Sequence, residues 1–473
     1  MSLDLESITT SIEEAETFRY VGRVTRVVGM LVEGVLPCAR IGATCRIEPP
    51  GASAVLAEVV GLKEDRVILM PLGNRQGLSV GTRITMTAAD ATIAVGRSCL
   101  GRVLNGMGEP IDGAGPLRDT RPVPLIAPPI NPLKRRGIEK TIDLGVKAIN
   151  GLLTLGEGQR VAVLAGTGVG KSTLMGMIAR NSDADVAVVA LIGERGREVQ
   201  EFVDEELRVA GVDTSRVVVV AATSDESPAL RLRAAYTATA IAEFFRDCGD
   251  RVLLLMDSLT RVVMAQREIG LSVGEPPATR GYPPSAFAVI PQLLERTGLN
   301  DRGSITAIYT ALIETEDFDD PVADAVRGTT DGHIVLSRRL AEAGQYPAID
   351  VSRSLSRLMN HLVDTEHQRL ARRFRTLLTN YEAADELISL GAYRQGTNPT
   401  YDQALERIGS LRAFLSQSPE QAISLEETLT ELRASLEAPS LDSPRAANPF
   451  RRELSGAYAR NQEILSTPAG ESR

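Results

Sequence analysis

A glycine-rich stretch that ends in a lysine and two hydroxyl residues has the residue types and spacing that phosphate binding requires. It reads Ala165-Gly-Thr-Gly-Val-Gly-Lys-Ser-Thr173, between an apolar run at 160–164 that predicts a buried strand and a predicted helix start at 174–178. Glycines let backbone N–H groups surround phosphate oxygens, and the helix N terminus adds partial positive charge. The stretch therefore predicts a nucleoside triphosphate site. The residues expected to contact the nucleotide are Gly166, Thr167, Gly168, Val169, Gly170, Lys171, Ser172 and Thr173.

Two side chains of this stretch and one downstream carboxylate have the chemistry of a metal–triphosphate site. Lys171 is predicted to contact the β- and γ-phosphates, and the Ser172 hydroxyl to ligate Mg²⁺. Asp257 closes the apolar run at 251–256, so it is expected at the end of a buried strand. A carboxylate there can hold Mg²⁺ through a bound water, which makes Asp257 the second predicted metal residue.

Hydrolysis also needs a group that orients the attacking water, and Glu194 is the candidate. It lies in Ile192-Gly-Glu-Arg-Gly-Arg-Glu198, at the end of the strand expected beside the phosphate-loop strand. Carboxyl ends of parallel strands face the crevice in which ligands bind. The alternative is a surface carboxylate that pairs with Arg195 or Arg197.

The composition limits the class of protein. The chain has 473 residues, 43% hydrophobic and 24% charged, with a net charge of −9. These values favour a soluble protein of two or three domains and argue against nucleic-acid binding as the main function, because phosphate contacts need a basic field. The four cysteines form no C-x-x-C pair, which favours reduced thiols in a reducing compartment. We expect no signal peptide and no membrane span.

The hydrophobic pattern changes several times along the chain. Short β-rich runs from 18 predict a small barrel or sandwich, a Pro- and Gly-rich connector follows with little regular structure, and alternating buried strands and helices begin at about 141. The six predicted segments are a partner-docking segment (1–17), a β-barrel domain (18–92), a connector (93–140), a nucleotide-binding domain (141–373), a helical domain (374–437) and a flexible tail (438–473).

The segment after 141 defines the predicted fold class, which is α/β. Continuous apolar strands that alternate with helices predict a mostly parallel sheet covered on both faces. The strands are predicted at 160–164, 185–192, 216–222, 251–257, 303–312 and 332–337.

Several separate motifs together resemble the rotary hexameric ATPase family, and within it the flagellar and type III secretion export ATPases. They are Gly193-Glu-Arg-Gly-Arg-Glu-Val199, Asp257-Ser-Leu-Thr-Arg261, Gly274-Glu-Pro-Pro-Ala-Thr-Arg-Gly-Tyr-Pro-Pro-Ser285, Asp331-Gly-His-Ile-Val-Leu-Ser-Arg338, Tyr346-Pro-Ala-Ile-Asp350 and Ser354-Leu-Ser-Arg357. The resemblance spans about 18–437. It implies a RecA-like P-loop core, an N-terminal β-barrel, a C-terminal helical domain and Mg²⁺-dependent hydrolysis of ATP.

The resemblance also assigns three further site residues. Arg357 corresponds to the arginine finger, which reaches the γ-phosphate bound by a neighbouring subunit, and a guanidinium suits that role. Arg261 corresponds to an active-site arginine, with a structural salt bridge as the alternative. Tyr346 corresponds to the aromatic residue on adenine, with core packing as the alternative. Because Glu194 and Arg357 occur in one chain, a homohexamer would form six equivalent sites.

The partners that the resemblance implies are expectations. They are other copies of the chain in a homohexamer, a stator-like regulator at the N-terminal segment, a stalk protein in the ring pore, membrane proteins of the export gate and chaperone–substrate complexes. Nucleic acid is not among them. The expected location is the cytoplasm, peripheral to the inner membrane.

Other functions remain open from the sequence. The leading interpretation is the flagellum-specific export ATPase, and the alternatives are a virulence-type secretion ATPase and a proton-translocating ATP synthase catalytic subunit. A nucleic-acid translocase has little support, because the chain has no tryptophan and few aromatic residues for base stacking. A nucleotide-dependent assembly scaffold is a further alternative.

Overall fold

The computed structural model describes residues 20–88, 90–207, 215–313 and 320–437. The predicted docking segment at 1–17 and the predicted tail at 438–473 lie outside the described residues. Within these ranges, no helix has both the length and the apolar character needed to cross a bilayer.

The first domain is a closed six-stranded antiparallel barrel with the strand order β1-β2-β5-β4-β3-β6. Alternate residues of its strands face inward, as the period of two requires, and Val32, Cys45, Ile47, Leu69 and Ile84 are buried there. Closure leaves no free sheet edge. The strands are β1 (Val21–Val28), β2 (Leu31–Val35), β3 (Thr44–Glu48), β4 (Val55–Lys63), β5 (Arg66–Pro71) and β6 (Arg83–Ala88).

The segment at 93–140 has more regular structure than its composition indicates. Strand β7 (Thr92–Val95) pairs with β9 (Arg121–Pro124), and β8 (Val103–Asn105) joins the large sheet of the next domain. A bidentate ion pair between Arg102 and Asp112, with an Nε–Oδ2 distance of 2.7 Å, braces the turn beside β8. Proline and glycine predict the turns correctly, but they cannot reveal that a three-residue strand pairs with a strand more than 100 residues away.

The nucleotide-binding domain is built on a nine-stranded, mostly parallel sheet with the order β19-β18-β12-β17-β15-β13-β14-β8 and β16 beside β17. The predicted α/β class is confirmed, and all six predicted strands are present with ends shifted by at most two residues. The last strand, β19, is antiparallel and was not predicted. The remaining strands of the chain are β10 (Thr141–Ile142), β11 (Leu155–Gly156), β12 (Arg160–Ala165), β13 (Val186–Glu194), β14 (Val217–Thr223), β15 (Arg251–Asp257), β16 (Gly298–Leu299), β17 (Ser304–Leu312), β18 (Gly332–Leu336) and β19 (Ile349–Ser356).

Helices pack on this sheet, and their boundaries follow ordinary capping chemistry. The Ser227 side chain accepts a hydrogen bond from the Leu230 N–H, with Pro228 in the first turn, an arrangement typical of a helix start. The helices that follow β10 in this domain are α1 (Lys147–Leu152), α2 (Lys171–Asn181), α3 (Gly196–Glu201) with a π-helical continuation at Phe202–Leu207, α4 (Pro228–Asp247), α5 (Leu259–Val273), α6 (Pro284–Leu294), α7 (Pro321–Thr329), α8 (Arg338–Glu342) and α9 (Met359–Leu362).

The C-terminal part of the described chain is helical, as predicted. It contains α10 (Thr365–Ser389), α11 (Pro399–Leu415) and α12 (Leu425–Glu437). Residues 369–414 and 430–437 form a compact unit, and the residues before 369 together with 415–429 form another. The core of the helical unit contains Phe374 and Phe414, whose ring centroids lie 5.3 Å apart.

Candidate functional site

The phosphate loop connects the end of β12 to the start of α2. Gly168 and Gly170 have φ values of +76° and +86°, in the left-handed region that favours glycine. Gly168, Thr167 and Ser172 are exposed, whereas the Val169 side chain is buried. Val169 can therefore contribute only its backbone to a ligand, and the exposed loop leaves room for phosphate at the N terminus of α2.

Parallel pairing brings three charged side chains to one edge of the sheet. Strands β12, β13 and β15 run in the same direction, so the residues at their carboxyl ends are neighbours. Lys171 Nζ lies 2.5 Å from Asp257 Oδ1 and 3.3 Å from Glu194 Oε1. Burial disfavours the charged lysine, but the two carboxylates outweigh it and raise the pKa of Lys171.

Glu194 has the protonation behaviour of a general base. Burial, together with the negative charge of Asp257, raises its pKa to about 7, against the opposing effect of Lys171. A base whose pKa lies near the working pH is the most effective. Its ion pair is with Lys171, whereas Arg195 pairs with Glu198 at 4.0 Å and Arg197 with Glu201 at 2.6 Å. The predicted alternative of a surface pair with Arg195 or Arg197 is therefore wrong.

Glycine at 193 allows Glu194 and Arg261 to approach each other. Gly193 has a φ of +70°, and a Cβ there would lie 2.9 Å from the Cβ of Arg261. The pairing of β13 with β14 also shifts register between Ile192 and Glu194, which sets the position of the glutamate. The buried Nε of Arg261 has no hydrogen-bond partner in the described part of the chain. A buried guanidinium nitrogen without a partner fits an anionic ligand better than a structural salt bridge.

Tyr346 lies beside the phosphate loop. Its ring carbons Cδ1 and Cε1 are 3.5 Å from the position that a Cβ on Gly170 would take. The side chain is 44% exposed, so it is not a core residue. An exposed aromatic face next to a phosphate loop can pack on a nucleotide base.

The site has two oxygen donors that could hold a metal ion bound to a nucleotide. Ser172 Oγ and the Asp257 carboxylate are the predicted metal donors, and Asp257 also accepts a hydrogen bond from Thr310 Oγ1 at 2.7 Å. The described ranges contain no group of three or more His, Cys, Asp or Glu residues that could hold a metal alone. Ser172 and Asp257 fit Mg²⁺, which uses one or two protein ligands and completes its shell with water and phosphate oxygens.

Arg357 lies at the opposite edge of the sheet from the other site residues. Its backbone N–H donates to Asp331 O, and Asp331 in turn bonds to Arg160, the first residue of β12. The phosphate loop begins five residues later, after Ala165, about 16 Å away at ~3.3 Å per residue. Arg357 therefore cannot reach the nucleotide site of its own chain.

Two side chains that the sequence analysis did not single out support the site. Glu206, in the π-helical segment, accepts a hydrogen bond from Thr173 Oγ1 at 2.8 Å and lies 3.6 Å from Arg180 Nη1. Thr310 binds Asp257 from the neighbouring strand β17. The sequence does give a signal for Thr310, because it is a hydroxyl residue near the end of an apolar strand. No local signal in the sequence identifies Glu206.

Models of known families match three parts of the chain. The nucleotide-binding domain of the ATP synthase alpha/beta family matches 145–356, and the beta-barrel domain of the same family matches 24–88. The C-terminal domain of the type III secretion ATPase EscN matches 363–434.

Known proteins match over nearly the whole length. A flagellum-specific ATP synthase of Pseudomonas aeruginosa is 50% identical to this chain, and the match covers 88% of this chain and 93% of that protein. A flagellum-specific ATP synthase of Bacillus subtilis is 46% identical, and the match covers 90% of this chain and 98% of that protein. A type 3 secretion system ATPase of Xanthomonas euvesicatoria is 49% identical, and the match covers 87% of this chain and 93% of that protein. The assembled ATPase EscN of enteropathogenic Escherichia coli superposes with a TM-score of 0.82 at 43% identity, covering 88% of this chain and 100% of that one.

Proposed function

The chain belongs to the ATP synthase alpha/beta family, and we propose that it is the export ATPase of a flagellum. It hydrolyses ATP, and the flagellar relatives are 46–50% identical to it. The Lys171–Glu194–Asp257 cluster at the carboxyl edge of the sheet supports ATP hydrolysis, and the identity to the flagellar relatives carries the flagellar assignment.

Each residue of the cluster has a distinct role in hydrolysis. Lys171 binds phosphate oxygens, and its contacts with Asp257 and Glu194 keep it charged until a nucleotide arrives. Glu194 orients the attacking water and accepts its proton. Mg²⁺, when held by Ser172 and Asp257, neutralises phosphate charge. Arg261 interacts with the anionic substrate through its unpartnered Nε.

Catalysis requires a second copy of the chain. Because Arg357 lies about 16 Å along the sheet from the phosphate loop, it can act only on a nucleotide bound elsewhere. We infer a head-to-tail homohexamer in which Arg357 of each copy completes the site of the next, with a stalk protein in the central opening. One solved relative is the assembled EscN, and another is EscN in complex with its central stalk EscO.

The remaining partners follow from the proposed export role. The N-terminal segment 1–17 would bind a stator-like regulator, and the helical domain would meet export-gate proteins and chaperone–substrate complexes. The protein would then act at the cytoplasmic face of the inner membrane. A virulence-type secretion ATPase is the second candidate, because the EscN C-terminal domain matches 363–434 and a secretion relative is 49% identical.

Replacement of Glu194 by Gln in the native host tests the flagellar assignment. The variant should accumulate to the wild-type level, lose swimming motility, and lose secretion of hook and filament protein into the medium. The matched control is Glu64→Gln, an exposed glutamate in the barrel domain, far from the site in the sequence. Normal motility with loss of other secreted proteins would overturn the flagellar assignment in favour of the virulence-type system.

A further inference from the structure

An exposed basic turn lies at the amino-terminal edge of the sheet, near Arg357. Leu133 is 96% exposed, in the short helical turn Pro132–Lys134. Lys134 and Arg136 are also exposed, and neither side chain has a hydrogen bond or ion pair among the residues that the structure describes. We call Leu133, Lys134 and Arg136 the basic turn.

The basic turn is anchored and adjoins the end of β19. Arg135, between its two cations, donates to Thr297 O at 3.0 Å and pairs with Glu295 Oε2 at 2.8 Å. A cavity of about 240 Å³ is lined by both Arg136 and Leu358, the residue after Arg357. The basic turn and Arg357 therefore belong to one continuous surface at this edge of the domain.

The opposite edge of the sheet carries the complementary charge. The stretch 195–206, which follows β13, contains five acidic residues and two arginines. Asp204 and Glu205, in its π-helical part, are exposed. We call these two residues the acidic step. Glu206, next to Glu205, accepts a hydrogen bond from Thr173 in the first turn of α2, so the acidic step lies at the carboxyl edge. Arg136 lines a cavity with Arg160, the first residue of β12, so the two surfaces lie at opposite edges of the sheet.

We propose that the basic turn docks on the acidic step of an adjacent copy of this chain. The inference rests on the proposed function, since the contact that carries Arg357 to the neighbouring phosphate loop also brings these two edges together. Opposite charges steer and align such a head-to-tail contact, and Leu133, next to Lys134, loses its exposure there. The basic turn thereby fixes how adjacent copies of the chain align in the ring.

Charge reversal and restoration test the contact by mass photometry across a concentration series. The Lys134→Glu, Arg136→Glu variant should need about tenfold or more higher concentration than wild type to form rings, because like charges then meet across the contact. The Asp204→Lys, Glu205→Lys variant should lose rings equally. The variant with all four changes should regain them. Both double variants should bind a fluorescent non-hydrolysable ATP analogue with wild-type affinity, which shows that the monomer is folded.

Two controls separate this inference from the proposed function. Arg394→Glu with Arg433→Glu makes the same change in net charge on the exposed surface of the helical unit and should leave rings intact. Arg357→Ala should also form rings. If wild type and Arg357→Ala assemble and the Lys134→Glu, Arg136→Glu variant assembles equally well, the docking contact is overturned while the ring stands. If wild type itself forms no rings, the proposed hexamer fails.

Discussion

At the scale of single residues, the site depends on two carboxylates that compete for one lysine. Asp257 lies nearer to Lys171 Nζ than Glu194 does, 2.5 Å against 3.3 Å. Burial is the main cause that raises the pKa of Glu194, and the negative charge of Asp257 raises it further. Asp257 thus remains paired with Lys171, and Glu194 is left available for its proposed role as a base.

The rate of hydrolysis should follow the ionisation of Glu194. A base works only when it is ionised, so a pKa of about 7 predicts that kcat/KM rises with pH and levels off above about pH 8. The ionised fraction goes from roughly a tenth at pH 6 to nine tenths at pH 8. Steady-state assays across this range, at constant ionic strength, measure it. A flat profile between pH 6 and 8 would contradict the assignment.

Glu194→Gln should lower kcat by about 10²–10⁴-fold, since the amide cannot accept the proton. Its residual activity should lose the rise with pH, while the affinity for a fluorescent ATP analogue stays within about threefold of wild type, because Lys171 and the loop remain. Single-turnover assays and a binding titration measure both. A variant that keeps the wild-type pH profile would show that another group is the base.

At the scale of elements, close packing between β13 and α5 positions the base. Gly193 is the point of contact, because its backbone has a positive φ and the Arg261 side chain fills the space that a Cβ would occupy. A side chain added at Gly193 would strain the backbone and displace functional groups on both β13 and α5.

Gly193→Ala should therefore reduce kcat more than it reduces stability. We expect at least about a tenfold loss in kcat, because Arg261 or Glu194 must move, and a cost of about 1–3 kcal/mol from the strained backbone and the close contact. The matched control is Gly29→Ala, also at positive φ but with no atom within 4 Å of the added Cβ. If both variants retain full activity, the contact does not position the site.

A buried ion pair joins α4 to the segment after α6. Arg296, 1% exposed, makes a bidentate pair with Glu243 and donates to Leu125 O. Arg296→Met should destabilise the protein by about 3–5 kcal/mol, because Glu243 is left charged and buried without a partner. Arg296→Met combined with Glu243→Leu should recover most of that loss. Urea titration followed by circular dichroism measures both, and equal loss in the single and double variants would contradict the explanation.

In the large sheet of the nucleotide-binding domain, the sequence predicted the strands whose residues are buried on both faces and missed β19 and β8. Strands such as β15 are continuous apolar runs, so their positions follow from composition alone. Strand β19, at a sheet edge, mixes exposed residues with buried ones, and β8 has three residues, so neither gives a clear local signal. The Lys171–Glu194–Asp257 cluster followed from strand order, whereas Glu206 reaches Thr173 from an irregular segment that no local pattern identifies.

At the scale of the whole molecule, the nucleotide-binding domain has two functional edges. The carboxyl edge holds the phosphate loop, the proposed base Glu194 and the acidic step, while the amino-terminal edge holds Arg357 and the basic turn. One copy has both halves of a site but cannot bring them together. Repetition of a head-to-tail contact does so for every copy in a closed ring.

Mixing two inactive variants tests this shared site most directly. Arg357→Ala and Glu194→Gln should each form rings with little activity. When they are mixed as monomers at equal amounts and then assembled, sites with Glu194 intact and Arg357 supplied by the neighbour should appear in roughly a quarter of positions, if copies enter the ring at random. The account predicts recovery toward that fraction of wild-type activity. A mixture of rings that remains as inactive as its components would contradict it.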